Sequence, residues 1–100
     1  MYRGRRRRGR KGRLPKPVRI GATPPARTFH PSGLPNNQEP TYLGPAELEA
    51  LRLVDLEGLS QEDAGERMGI SRGTVWRLLQ TARKKVAQAL TEGKPINFHR

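Results

Sequence analysis

The sequence predicts an all-α fold: a small three-helix domain containing a helix-turn-helix, preceded by an extended, basic N-terminal segment rich in proline and glycine. Apolar residues recur at helical spacing from Gly44 onward. Eight of the nine prolines lie at or before Pro45, which disfavours regular structure in the first part of the chain. Gly58, Gly69 and Gly93 fall where three successive helices would end.

We expect four parts along the chain. They are a disordered basic arm over residues 1–13, an extended proline-rich segment over 14–43, a helix-turn-helix domain over 44–92 and a C-terminal tail over 93–100. In the extended segment, Val18 and Ile20 alternate with Arg19 and favour one short strand. Phe29 and Tyr42 are predicted to pack onto the helices and to hold the segment in place.

The charge of the chain is concentrated at its N-terminal end. Residues 1–38 contain eleven Lys or Arg and no acid, whereas residues 39–100 contain nine of each sign. Like charges in a segment with few apolar residues disfavour folding and favour a polyanionic partner. Nucleic acid is the strongest candidate because each neutralised phosphate releases a counterion. An anionic membrane is disfavoured, since no amphipathic stretch accompanies the basic run.

The first helix is predicted to begin at Pro45, because proline fits the first helical position. Glu47 and Glu49 lie in the early turns, where the helix dipole favours acids. A buried stripe is expected from Leu48, Leu51, Leu53, Val54 and Leu56.

The second and third helices are predicted from their caps. Ser60 caps the second helix and Ser71 caps the third, which runs to about Thr91. Ala64 and Gly65 are small where the two helices must approach, and Gly69 suits the left-handed turn between them. The third helix has an apolar set at helical spacing: Val75, Leu78, Leu79, Ala82, Val86 and Leu90.

One copy of so small a domain buries little apolar surface. Leu53, Val54, Ala87 and Leu90 exceed what a monomer is expected to cover, so a homodimer is a further partner that we consider.

The N-terminal half of the third helix has the chemistry of a DNA major-groove probe. The residues expected to contact bases are Arg72, Gly73, Trp76, Arg77 and Gln80. Arginine suits bidentate bonding to guanine, worth about 1–3 kcal/mol of discrimination for each contact. Gln80 suits adenine in the same way, and a simply solvated side chain is the alternative for it. For Trp76 two interpretations stand equal: contact with thymine methyl groups and sugars, or packing against the core or a second subunit.

Other residues are predicted to contact phosphate. On the third helix they are Ser71, Thr74, Arg83, Lys84 and Lys85, and in the arm they are Arg5, Arg6, Arg7 and Arg8. For the three cations at 83–85, a solvated helix face carries equal weight. For the arm, sequence-independent phosphate attraction is favoured over insertion into a minor groove. Arginine-rich segments also order on RNA, which keeps an RNA partner open.

Enzymatic chemistry is not indicated. His30 and His99 are isolated, no acid and histidine have the spacing of a metal site, and cysteine is absent. The acids Glu62, Asp63 and Glu66 are expected to form a solvated face. We therefore predict no catalytic residues, no metal and no cofactor. No apolar run is long enough for a membrane span and no signal peptide is recognisable, so a cytoplasmic, nucleoid-associated protein is expected.

Two resemblances accompany these residues. Residues 56–89, LEGLSQEDAGERMGISRGTVWRLLQTARKKVAQA, resemble region 4 of bacterial sigma factors, a helix-turn-helix with a long third helix. By position, the contacts of that region would fall on Arg72, Gly73, Trp76 and Arg77. Gly73 and Trp76 depart from the glutamine and small residue that are usual there, so the base preference of the family is not carried over.

Most of the chain, residues 16–94, also resembles a family of short prokaryotic proteins that are predicted to bind DNA. The segments that carry this resemblance are TFHPSGLP at 28–35, ELEALRLVDLEGLSQEDAGERMGISR at 47–72, TARKKVAQAL at 81–90 and EGK at 92–94. The resemblance implies a DNA-binding transcriptional regulator, and with the chemistry of the third helix our first hypothesis is a sequence-specific DNA-binding protein. A sigma factor is not expected, because 100 residues leave no room for the domains that engage polymerase and melt promoters.

Two alternatives remain at this point. One is an RNA- or ribosome-associated protein that binds through the basic arm. The other is an interaction module that docks on RNA polymerase, as sigma region 4 also does.

Overall fold

The computed structural model describes residues 17–33 and 38–98, which form three helices and a small three-stranded sheet. In chain order the elements are β1 (Thr28–Phe29), β2 (Thr41–Tyr42), α1 (Pro45–Ala50, continued by a π-helical segment Leu51–Leu56), α2 (Gln61–Met68), α3 (Arg72–Glu92) and β3 (Ile96–Asn97). In the described ranges, no helix combines the length and the apolar character needed to cross a bilayer.

Helix α1 begins as the sequence predicts, with Gly44 as the N-cap and Pro45 in the first turn. The Glu47 carboxylate accepts a 2.8 Å hydrogen bond from the backbone N–H of Gly44. After Leu51 the helix widens into i→i+5 hydrogen bonds, seen in the bond from the Glu57 N–H to the Arg52 carbonyl. This widening breaks the 3.6-residue period, so Leu56, predicted to be buried, is 80% exposed.

Helices α2 and α3 have the predicted caps. The Ser60 hydroxyl accepts from the Asp63 N–H, and the Ser71 hydroxyl accepts from the Thr74 N–H. Gly69 ends α2 in the left-handed conformation at φ 74°. The two helices therefore meet across a turn of only three residues, 69–71.

Close approach explains Gly65. A β-carbon added at this position would lie 2.7 Å from the carbonyl oxygen of Ile70, so only glycine fits under the turn. Ala64 is also fully buried, as the prediction of small residues at the contact requires. The α2–α3 packing is thus set by backbone proximity.

The core lies where the three helices meet. It comprises Ala50, Leu53, Ala64, Met68, Val75 and Leu79, all without exposed surface. Leu53 is covered within a single copy, so the prediction that it adds surplus apolar surface is wrong. Leu90 is 77% exposed and Ala87 is also exposed. These two of the four residues predicted to exceed what a monomer covers therefore remain on the surface. The homodimer itself stays a prediction.

The expectation of a purely helical fold is wrong because of the sheet. Strand β3 lies in the middle, antiparallel to β1 with Thr28 opposite Asn97, and parallel to β2 with Thr41 opposite Ile96. Strands of two residues are too short to produce an alternating pattern, so the sequence gives no signal for them.

The extended segment differs from the predicted arrangement in two respects. Residues 17–22 form no strand, and the first strand lies further on, at β1. Phe29 is 60% exposed and packs edge-on against Phe98, with ring centroids 5.6 Å apart, so its partner is a residue beyond the helices. The sheet thereby joins the two segments that flank the helical body.

Candidate nucleic-acid interface

One side of α3 is exposed along its N-terminal half. Arg72, Gly73, Trp76, Arg77 and Gln80 all lie on this side, which we call the α3 face. Their spacing of three and four residues makes them neighbours on the helix surface. The opposite side of the helix is buried through Val75, Leu79 and Ala82. The five residues predicted to contact bases are therefore brought together on one surface.

Trp76 is 51% exposed, which excludes burial in the core of its own chain. The indole lines a shallow depression together with Gly73, Arg72 and Arg77 on α3. The other wall of the depression is the start of α2, residues 60–62. The α3 face therefore borders the N-terminal end of α2.

The hydroxyl groups at the start of α3 are occupied within the helix. Ser71 Oγ caps the Thr74 N–H and lies 2.9 Å from Thr74 Oγ1. Arg77 Nη2 donates to the same Thr74 oxygen at 3.4 Å. Thr74 thus helps to orient Arg77, a role that its prediction as a phosphate contact did not include.

The cations at 83–85 divide into two kinds. Arg83 donates to both carboxylate oxygens of Asp55, at 2.7 and 3.0 Å, and Lys85 Nζ lies 2.9 Å from Glu47 Oε1. The Arg83 guanidinium lowers the pKa of the Asp55 carboxyl through these hydrogen bonds. Lys84 is exposed, and the described parts of the chain offer its ammonium group no acidic partner. Two of the three side chains thus hold α3 against α1.

Arg19 is a residue whose role the sequence did not reveal. Its backbone N–H donates to the Met68 carbonyl at 2.9 Å. Its guanidinium donates to the carbonyls of Arg67 at 3.0 Å and Glu66 at 2.6 Å. Both carbonyls lie at the end of α2, where that of Glu66 also accepts a 3.4 Å bond from the Gly69 N–H, and the Arg19 side chain acts as a C-terminal cap of this helix.

The capping by Arg19 fixes the first described residues of the chain against the helices. Pro17 and Arg19 line a depression together with Ser71 and Arg72 at the start of α3. Residues 1–16, which include Arg5, Arg6, Arg7 and Arg8, lie outside the described residues. The described chain therefore begins beside the N-terminal end of the α3 face.

A second attachment of the extended segment involves a buried acid. Glu49 is only 3% exposed, and its carboxylate accepts from the Gly21 N–H at 2.8 Å. Arg52 donates to both oxygens of the same carboxylate, at 2.7 and 2.9 Å. These hydrogen bonds, foremost those from Arg52, hold the pKa of the Glu49 carboxyl below its usual range despite burial.

The acidic side chains of the described residues form no metal-binding group. The described ranges contain no group of three or more His, Asp or Glu side chains placed to hold a metal ion. Glu62, Asp63 and Glu66 are all exposed on α2.

Together these features define a small, mostly helical domain with an exposed helix face that bears two arginines and a tryptophan. The chain belongs to the family described as protein of unknown function DUF134, whose model matches residues 2–99.

Relatives in this family occur in archaea and bacteria and bear the name UPF0251 protein. One from Thermococcus kodakarensis is 57% identical over 79 residues, covering 77% of this chain and 70% of the relative. One from Pyrococcus furiosus is 53% identical over 89 residues, covering 86% and 82%. One from Desulforudis audaxviator is 55% identical over 86 residues, covering 85% and 56%. No solved structure matches the chain.

Proposed function

We propose that this protein is a sequence-specific DNA-binding protein and a transcriptional regulator. In this proposal α2, the turn 69–71 and α3 form a helix-turn-helix that lays the α3 face in a major groove. The basic arm adds affinity through phosphates or the minor groove.

The observation that carries the proposal is the exposure of Arg72 and Arg77 on the same side of α3. Had both guanidinium groups been buried in the core or under the extended segment, the helix would have had no arginine to offer to guanine. Helix α3 contains no acid before its last residue, Glu92, although Glu62 at the start of α2 lines the same depression as Arg72 and Arg77. Among the described residues, Arg72 has no hydrogen-bond or ion-pair partner, so its donors are available to a ligand.

The position of Arg19 supports a joint action of arm and helix. Because Arg19 is bonded to the end of α2, Pro17 and Arg19 lie in the same surface region as Ser71 and Arg72, and the basic arm precedes them in the sequence. A strongly basic segment attached there adds its phosphate contacts to the same duplex that α3 contacts.

The test is selection from a random duplex DNA pool at moderate salt, using four proteins. They are the wild type, Arg77→Ala, a deletion of residues 1–13, and the control Lys94→Ala. Lys94 pairs with Glu92 beyond the end of α3, so its loss removes one positive charge away from the proposed interface.

We expect Arg77→Ala to relax the preference at one base pair by about 1–3 kcal/mol. The arm deletion should weaken all sequences together and reduce the salt dependence of binding. Lys94→Ala should retain the wild-type preference. If Arg77→Ala keeps full selectivity while the deletion abolishes binding, an arm-driven RNA-binding function gains and the regulator proposal fails.

A further inference from the structure

We infer that Gly73 and Trp76 form a notch that receives the 5-methyl group of a pyrimidine base in the major groove, and so determine specificity at one base pair. The inference rests on the proposed function above and deepens it. Thymine is the standard base that carries this methyl group, and 5-methylcytosine presents the same chemistry.

The first step is that Gly73 has no structural reason to be glycine. Gly69 and Gly93 adopt the left-handed conformation at φ 74° and 70°, and Gly65 lies under the Ile70 carbonyl. At Gly73 the backbone is helical, and an added β-carbon would meet only Ser71 Oγ, at 4.0 Å. Alanine would fit there and would favour the helix. The missing side chain leaves open space on the surface.

The second step is the position of Trp76 beside that space. Trp76 follows Gly73 by three residues, so the two are neighbours on the α3 face. The half-exposed indole and Gly73 line the same depression, in which Arg72 and Arg77 also lie. The indole therefore borders a gap at Gly73 in which an added β-carbon would meet Ser71 Oγ at 4.0 Å, and residues 60–62 of α2 line the other side of the depression.

The third step is the match between this notch and a base edge. In the major groove the C5 methyl group is the apolar feature that distinguishes thymine, and it is recognised by apolar contact. The neighbouring arginines supply the donors that suit guanine O6 and N7. The arrangement therefore favours a sequence in which a 5-methylpyrimidine lies next to a guanine.

The experiment starts from the duplex that the wild-type protein selects. Each thymine is replaced in turn by deoxyuridine, which removes the methyl group and leaves the hydrogen-bonding groups unchanged. We expect a loss of about fourfold in affinity at one position, the factor that corresponds to burying one methyl group. At that position a 5-methylcytosine·guanine pair is then compared with cytosine·guanine. Tighter binding of the methylated pair would show that the notch accepts both bases, and equal binding would restrict it to thymine.

The variants locate the methyl contact. Gly73→Ala, which fills the notch, and Trp76→Ala, which removes its wall, should both reduce the thymine-to-deoxyuridine ratio towards one. The matched control Gln80→Ala, on the same face, should keep the ratio. Because this ratio compares two DNAs with one protein, a change in folding does not alter it.

Two results would overturn the inference while leaving the proposed function standing. One is selective binding by the wild type with no deoxyuridine effect at any thymine. The other is an unchanged ratio in both Gly73→Ala and Trp76→Ala. Absence of any selective duplex binding would instead remove the proposed function itself.

Discussion

Nη2 of Arg19 donates a 2.6 Å hydrogen bond to the backbone carbonyl of Glu66, so a side chain from the proline-rich segment caps the helix that precedes the turn. Carbonyls in the last turn of a helix lack i→i+4 partners, and here the guanidinium adds a shorter bond to the 3.4 Å bond that the Glu66 carbonyl accepts from the Gly69 N–H. This contact links the stability of α2 to the position of the extended segment.

Loss of the Arg19 side chain should therefore destabilise the domain. We expect Arg19→Ala to lower the free energy of unfolding by about 1–2 kcal/mol, since two exposed charge-assisted hydrogen bonds are lost. Arg19→Lys should recover part of this loss, because it keeps the charge but not the paired geometry. Urea unfolding followed by circular dichroism measures both. An alanine variant as stable as the wild type would contradict the capping role.

A methyl group at Gly65 should be costly. Gly65→Ala places its β-carbon 2.7 Å from the Ile70 carbonyl, and backbone cannot yield as a flexible side chain does. We expect a loss of about 1–3 kcal/mol of stability. Gly73→Ala is the matched control: it has free space and should leave stability unchanged or slightly raised. Thermal unfolding of the two variants checks the contrast, and equal melting temperatures would refute it.

Acid should destabilise the protein partly through Glu49. The pKa of its carboxyl is lowered in the folded state, so the folded state binds fewer protons than the unfolded state there. The resulting stability is fully present above the ordinary carboxyl pKa. It is lost as the pH falls from that value through the lowered pKa.

Replacing the carboxyl tests this pH dependence. Glu49→Gln should cost about 1.5–3 kcal/mol at neutral pH, because the hydrogen bonds from Arg52 lose their charged acceptor. The variant should also show a flatter decline of stability in acid. Glu62→Gln, at an exposed position on α2, should follow the wild-type curve. Urea midpoints measured from pH 7 to pH 3 distinguish the two, and a parallel decline of Glu49→Gln and wild type would count against the linkage.

The adjacent lysines Lys84 and Lys85 should affect different properties, DNA binding for the first and stability for the second. Lys84→Ala should reduce the slope of the logarithm of DNA affinity against the logarithm of salt concentration by about one, as for one lost phosphate contact. Lys85→Ala removes the ion pair with Glu47, which is mostly buried, so it should lower stability by about 1 kcal/mol and leave the slope unchanged. Titrations of each variant with duplex DNA at several salt concentrations measure the two slopes. An identical slope change in both variants would show that the Glu47 pair opens on DNA.

Much of the helical framework was predictable because its signals are local. Ser60 and Ser71 are caps within one turn of the groups they bond, and Gly69 marks the turn by its own backbone preference. The exposure of Arg72 and Arg77 followed from the same 3.6-residue period. These features depend on neighbours three or four residues away.

The features of the fold and the site that the sequence did not predict depend largely on partners that are distant in the chain. Glu49 bonds to Gly21, and Arg83 bonds to Asp55, but a charged residue carries no mark of which opposite charge it will meet. The π-helical segment was also missed, since apolar spacing alone does not distinguish i→i+5 from i→i+4 hydrogen bonds. The predicted phosphate contacts at Arg83 and Lys85 were based on charge without knowledge of these partners.

The central position of β3 has a consequence for synthesis. Both outer strands precede all three helices, and each bonds only to a strand that follows them. On the ribosome, β1 and β2 therefore emerge without a hydrogen-bonding partner and must wait until residues 96–97 have left the exit tunnel. The helices can associate earlier, so closure of the sheet is a late step, which fixes residues 28–29 and 41–42 after the helical body has been made.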